Sequence, residues 1–297
     1  MDAVNGKPVI TVIGGANTDI GGGPAAALRL YDSNPGRIEL RPGGVARNVA
    51  HDLRLLGMDV RLIAAVGDDL FGRGLKEGCE ALGIDVSRML TVPGARSSTF
   101  LYVTNAAGDM HVGIADMEIA ERITPEYLRP LMDEINASAA VFVDANLSEE
   151  TLDFLADSCT APMYADPVST AKAPRLLKIL PRLEGFKPNA REAAQLTGEN
   201  YPGKAARVLL DMGVGRVFIS LSAEGMLAAE GEERVRLPRM AGRVVNTTGA
   251  GDAAMAAIIW AGVRGLNLRS TARAALSAGA QTCAVAETNP PSLQISL

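Results

Sequence analysis

The chain has 297 residues, 47% hydrophobic and 21% charged, an ordinary balance for a folded protein with a large core. A formal net charge of −5 supplies no basic field for a nucleic-acid backbone or an anionic bilayer, which argues against both as partners. Cys79, Cys159 and Cys283 stand alone, without CxxC or Cys/His spacing, and read as reduced core thiols rather than a disulfide or zinc framework.

Residues 1–8 are polar and lack the basic and apolar regions of a signal peptide, and no uncharged apolar run reaches the roughly 18 residues a membrane span needs. The expected compartment is the cytoplasm. An apolar run, Val9–Ile13, opens the chain as a strand. A long connection follows, holding Gly21-Gly22-Gly23 and ending in strand-like 37–40. Helix 45–56, strand 60–66 and helix 70–82 come next. Residues 99–104 and 110–114 alternate in strand fashion about Asn105-Ala106-Ala107-Gly108-Asp109, a hairpin signal. Beyond them lie helix 125–135, strand 140–143, helix 149–158, strand 163–165, helices 190–196 and 204–212, strand 217–221 and a small-residue helix, 253–261. Apolar runs without polar alternation suit strands buried on both faces. The repeat of strand and helix predicts an α/β fold, a doubly wound, mostly parallel sheet flanked by helices, as one domain over 1–297. Two stretches outside that rhythm, about 16–42 and about 96–118, read as a small β-sheet lid that keeps water from a reacting centre.

Asn246-Thr247-Thr248-Gly249-Ala250-Gly251-Asp252 runs into the small-residue helix. A glycine turn feeding a helix leaves backbone N–H groups unpaired at the positive end of the helix dipole, a place for phosphate charge. Asp252 falls in the first turn, where a carboxylate can take the proton of an attacking hydroxyl. At Pro42-Gly43-Gly44-Val45-Ala46-Arg47-Asn48 the glycines let the backbone approach a ligand, and the amide of Asn48 both donates to and accepts from vicinal hydroxyls. Asn17 and Asp19 follow the first strand, at the carboxyl end where open α/β sheets bind ligands. Asn189 and Glu192, three apart at a helix start, make a capping-box pair. No GxxxxGK[ST] is present, so the nucleotide is not held by a Walker-type loop.

The segments 42–48 and 246–252, in this order and separation, resemble the two signatures of the ribokinase-like (PfkB) kinase family. The resemblance implies ATP and Mg²⁺ as cofactors and a small sugar or nucleoside as acceptor. It implies Asp252 as catalytic base, with the amides of Gly249, Ala250 and Gly251 as the anion hole. Asn17, Asp19, Gly43, Gly44 and Asn48 become acceptor ligands. Ser220, Ser222, Gly225, Thr248 and Asn289 go with the nucleotide. Asn189 and Glu192 form the NxxE pair that acts on Mg²⁺, Glu192 through water. Where the family usually has Asp beside a K⁺ site this chain has Asn246, which leaves K⁺ dependence open. Relatives often pair through the lid, so a homodimer is expected.

Three flanking segments, 31–36, 114–117 and 166–172, further resemble the pseudouridine-kinase subfamily, and the likeness runs from about Val9 to Pro291. It implies Ser33, Asn34, Thr99 and Asp116 as readers of the base, with Lys172 steadying a phosphate or substrate oxygen. Kinases of ribose, another sugar or an ordinary nucleoside, and a catalytically silent sensor, are the alternatives.

Overall fold

The structure, a computed structural model, describes residues 8–297; most of the polar segment read above as lacking signal-peptide character lies outside the described residues. In chain order its strands are β1 (Val9–Ile13), β2 (Asn17–Pro24), β3 (Gly36–Gly43), β4 (Asp59–Ile63), β5 (Ala65–Gly67), β6 (Leu90–Val92), β7 (Thr99–Thr104), β8 (Met110–Asp116), β9 (Ala140–Asp144), β10 (Met163–Asp166), β11 (Leu183–Phe186), β12 (Arg216–Ser220), β13 (Met226–Glu230) and β14 (Glu233–Leu237). The helices are α1 (Val45–Leu55), α2 (Leu70–Ala81), α3 (Pro125–Leu128), α4 (Met132–Asn136), α5 (Glu149–Ser158), α6 (Ala190–Thr197), α7 (Pro202–Asp211), α8 (Ala250–Val263) and α9 (Leu268–Cys283). Among the described residues no helix is long and apolar enough to cross a membrane.

Eight strands form the main sheet in the order β14-β13-β12-β11-β10-β9-β1-β4, parallel from β12 to β4 with an antiparallel β13–β14 edge. Side chains alternate along each strand, so one sheet bears a core on either face. Ile10, Val12, Phe142 and Phe218 pack toward α1, α8 and α9, while Ile13, Val141, Val143 and Phe186 pack with Leu152, Leu155 and Leu209 of α5 and α7. Phe142, Phe186 and Phe218 are wholly buried, each contributing about 1.5–3 kcal/mol by leaving water.

β3-β2-β7-β8 make a separate four-stranded sheet, the expected lid. Gly21-Gly22-Gly23 lies inside β2 rather than in a loop, paired with β3 and β7, and Gly21 must be glycine because a Cβ there would come within 2.6 Å of the Tyr102 hydroxyl. The expected strand 60–66 is two strands, β4 in the main sheet and β5 paired with β6. The expected helix 125–135 breaks at Pro130, which has no N–H to donate and turns the chain through a short 3₁₀ segment between α3 and α4.

Candidate active site

The carboxyl ends of β1, β9, β10 and β11 and the N-termini of α1 and α8 meet on one side of the sheet. Asp144 closes β9 and is fully buried; its Oδ2 accepts from the backbone N–H of Gly15 and Ala46, each at 3.0 Å, and its Oδ1 accepts from Asn146 at 2.9 Å. One carboxylate thus ties the loop after β1 to the start of α1. Gly14 is needed beside it, since a Cβ there would lie 2.5 Å from the Asp144 carboxyl carbon, and Gly44 (φ 96°) fits only because a Cβ would strike the Gly15 carbonyl at 2.4 Å.

Asn17 Nδ2 donates to Asp19 Oδ1 at 2.6 Å, and Gly43, paired with Asn17 across β2 and β3, passes so near that a Cβ would lie 2.6 Å from the same carboxylate. Burial raises the pKa of Asp19, opposed by the Asn17 hydrogen bond and the charges of Arg47 and Arg41. Asn48, on the first turn of α1, donates through Nδ2 to Asp252 Oδ2 at 2.7 Å. This contact joins the two sequence signatures across 204 residues.

Asp252 is the third residue of α8, whose N-cap, Gly249, takes a left-handed conformation (φ 82°). Its pKa is pushed up to about 8, first by burial and then by the charge of Asp166, against the Asn48 hydrogen bond and Lys187. Lys187, just past β11, bonds Asp166 at 2.9 Å with both side chains under a tenth exposed. The neighbouring negative charges of Asp166, Glu192 and Asp252 outweigh burial and raise the pKa of Lys187, so the site holds a fixed cation. Asp166 is gripped by a strained turn, in which Val168 has φ 65° and donates its N–H to Asp166 Oδ1 at 2.8 Å. Asn189 and Glu192 form the full capping box, the Asn189 N–H reaching Glu192 Oε2 at 2.8 Å.

A cleft of about 600 Å³ opens from Lys187, Ala250 and Gly251. Ser220, Ser222 and Gly225 line it, the last two in left-handed backbone (φ 52° and 94°). Small side chains of α8 and α9, Ala254, Ala275 and Ala280, form an apolar slot in its wall.

Other expected residues lie apart from the cleft lining. Asn289 is absent from the cleft lining and is buried behind Asn48, bonded to Arg47 at 2.9 Å and Asp52 at 2.9 Å. Asn34 spends its side chain on its own loop, bonding Arg29 and Asp32, and Ser33 beside it is exposed. Register pairs Thr18 with Thr99 and Thr99 with Asp116, whereas Asp19 pairs with Phe100, so Thr99 and Asp116 stand on the lid face opposite Asp19. That is a correction: the hairpin alternation was legible, but the face each residue takes depends on pairing with β2. Lys172 does turn inward, its Nζ donating to Asn146 Oδ1 at 2.6 Å. Thr248 is exposed, its N–H held by Asn246 Oδ1 at 3.0 Å.

Sequence reading passed over Asp144, Asp166, Lys187, Arg47 and Asp52. A signal existed for Lys187 and Asp166, each a charged residue directly ending an apolar strand.

A family model described as pfkB family carbohydrate kinase matches residues 8–295. The pseudouridine kinase of Escherichia coli is 35% identical over 297 residues, spanning 97% of this chain and 95% of that protein. Thermotoga maritima ribokinase superposes with a TM-score of 0.85 at 22% identity, covering 95% of this chain and 94% of that one. An Escherichia coli protein solved in complex with ATP and Mg²⁺ gives 0.81 at 18% identity, over 95% and 94%. The last two establish the shared ribokinase-like fold.

Proposed function

Since the chain belongs to the pfkB family of carbohydrate kinases, we propose that it transfers the γ-phosphoryl group of ATP to the 5′-hydroxyl of pseudouridine. The observation that carries this reading is the 2.7 Å bond between Asn48 and Asp252, which sets an acceptor-binding amide against a carboxylate at a helix N-terminus facing the cleft. ATP lies in the cleft, its base in the Ala254, Ala275 and Ala280 slot and its phosphates toward Lys187 and Gly251. Asn17, Asp19, Gly43, Gly44 and Asn48 hold the ribose. Asp252 takes the 5′-hydroxyl proton as the oxygen attacks in line, and the amides of Gly249, Ala250 and Gly251 receive the migrating phosphoryl group.

Selectivity falls to the exposed lid loop at Ser33 and to Lys172, whose Nζ turns inward to Asn146. A uracil joined through carbon carries an N–H that uridine lacks, and a site that pairs such a group rejects its absence strongly.

The carboxylates of Glu192 and Asp166, whose charges both act on Lys187, suit Mg²⁺, which keeps most of its waters and shares itself between one or two carboxylates and phosphates. When bound, the ion neutralises phosphate charge. Asn246 suits K⁺ poorly: its Nδ2 donates to the Ala286 carbonyl at 3.1 Å and its Oδ1 is taken by the Thr248 N–H. A hydrogen-bonded amide stands in that corner.

The outward lid face supports pairing of two copies. Register puts Ile38, Leu40, Leu101, Val112 and Ile114 on one face, away from Asp19, with Ile38 78% and Ile114 65% exposed.

Phosphorylation of pseudouridine, uridine and ribose under ATP and Mg²⁺ tests the acceptor, with pseudouridine expected to lead in kcat/KM. A preference for ribose would overturn it. Asp252→Asn should lower kcat roughly 10²- to 10⁴-fold with the fold and acceptor affinity kept. A fully active variant would refute Asp252 as the base.

A further inference from the structure

Two buried asparagines, Asn48 and Asn289, turn their side-chain oxygens toward the same Nη2 of Arg47. Arg47 is only 3% exposed. A guanidinium donates and never accepts, so an amide facing it must present its oxygen and send its NH₂ the other way. For Asn48 the other way is Asp252. For Asn289 it is Asp52 Oδ1 at 2.9 Å and the Asn48 carbonyl at 3.2 Å. The same Nη2 reaches the Pro42 carbonyl at 2.7 Å, and Nη1 faces His51 Nδ1 at 3.2 Å. One cation therefore fixes the direction of two amides, and Asp52, wholly buried, stands behind Asn289 as its countercharge.

We propose that Arg47 is a positioning residue: it locks Asn48 with its nitrogen toward Asp252, so that one carboxylate oxygen is held and the other is left for the acceptor hydroxyl. Freed from Arg47, the Asn48 amide, nearly symmetric in shape, can turn its oxygen to Asp252. Two acceptors then face each other and the carboxylate is ionised only at greater cost. The charged groups around Asp252 are Asp166 at the end of β10, Lys187 beyond β11, and Asp52 and Arg47 on α1; Asp19 of β2 and His51 adjoin Arg47. The inference rests on Asp252 being the base, but the orientation of Asn48 is measurable without turnover.

The test uses the full chain with ¹³C-carboxyl-labelled aspartate, the Asp252 signal being identified by its loss in Asp252→Asn. Arg47→Met should raise the Asp252 titration midpoint by about half a unit or more and lower kcat by about tenfold or more, with acceptor KM changed far less. Arg47→Lys, whose ammonium can donate to the same oxygens, should stay nearer the wild type on both readouts. Where Arg47→Met fails to fold, Arg47→Gln carries the test, with the same direction expected. A folded Met or Gln variant with an unmoved Asp252 midpoint and unchanged kcat overturns the proposal, as does a Lys variant impaired as deeply as Met. A wild-type chain that phosphorylates no alcohol would defeat the kinase reading, while the side-chain amide signal of ¹⁵N-labelled Asn48, assigned by its loss in Asn48→Asp and compared between wild type and Arg47→Met, would still decide whether Arg47 orients Asn48.

Discussion

Lys187 Nζ lies 2.9 Å from Asp166 Oδ2, and neither side chain is more than a tenth exposed. A pair so placed gains little over an apolar pair, yet removing one partner strands the other. Asp166→Ala should cost about 3–5 kcal/mol of stability, read as a lower urea midpoint at constant m-value. An unchanged midpoint would mean that water or a neighbour already compensates Lys187.

Asp252, as the proposed base, sets the expected pH dependence. A proton acceptor must be ionised, and with Asp252 pushed up to about 8 by burial and by Asp166, it is largely protonated in the free protein below that value. kcat/KM should therefore rise with pH through about 8 and level off above it. Asp252, and Asp52 at about 7, bind protons more tightly folded than unfolded, so their contribution to stability is full below 3.8 and is lost as pH climbs through 7 and 8. A kcat/KM profile flat from pH 6 to 9 would remove Asp252 from the mechanism.

Gly249→Ala tests the anion-hole turn. Its φ of 82° disfavours any side chain, and the added Cβ would lie 1.9 Å from the Thr288 carbonyl, so the turn must shift. Stability should fall by about 1–3 kcal/mol and kcat by more than acceptor KM rises. Thermal melts and initial rates check both.

The lid face predicts self-association. Ile38→Lys together with Ile114→Lys should turn a dimer into a monomer in sedimentation velocity at micromolar protein, with the unfolding midpoint of the main domain little changed. A wild-type chain that sediments as a monomer would end that idea.

Substituting Na⁺ for K⁺ at constant ionic strength should leave the rate within about twofold, because Asn246 already bonds Ala286 and Thr248. Asn246→Asp, which restores a carboxylate, should introduce a K⁺ response.

Much of this could be read along the chain because it is local. The glycine turn before α8, the Gly43-Gly44 entry to α1, the Asn189 and Glu192 box and the parallel strands are each written within a few residues. Elements that depend on distant partners were not legible. β2 carries three consecutive glycines, poor strand formers, and is held by its pairing with β3 and β7. α9 packs through alanines such as Ala274, Ala275 and Ala278, which carry too little apolar contrast for a helical period to stand out. Asp144 makes its bonds at separations of 98 and 129 residues, and Arg47 meets Asn289 across 242, so neither pairing has a sequence signature.

The floor of the proposed acceptor site also bears on how such a protein acquires new chemistry. Gly14, Gly43 and Gly44 each abut backbone or carboxylate so closely that a single added carbon has no room, so selection for an altered acceptor finds no viable variants there. Diversity has to enter from above, through the exposed 29–33 segment, where replacements meet solvent rather than the framework. A library confined to that loop should recover changed preferences at far higher frequency than one spread over the signature, and ancestral shifts within the lineage should have been written in the same place.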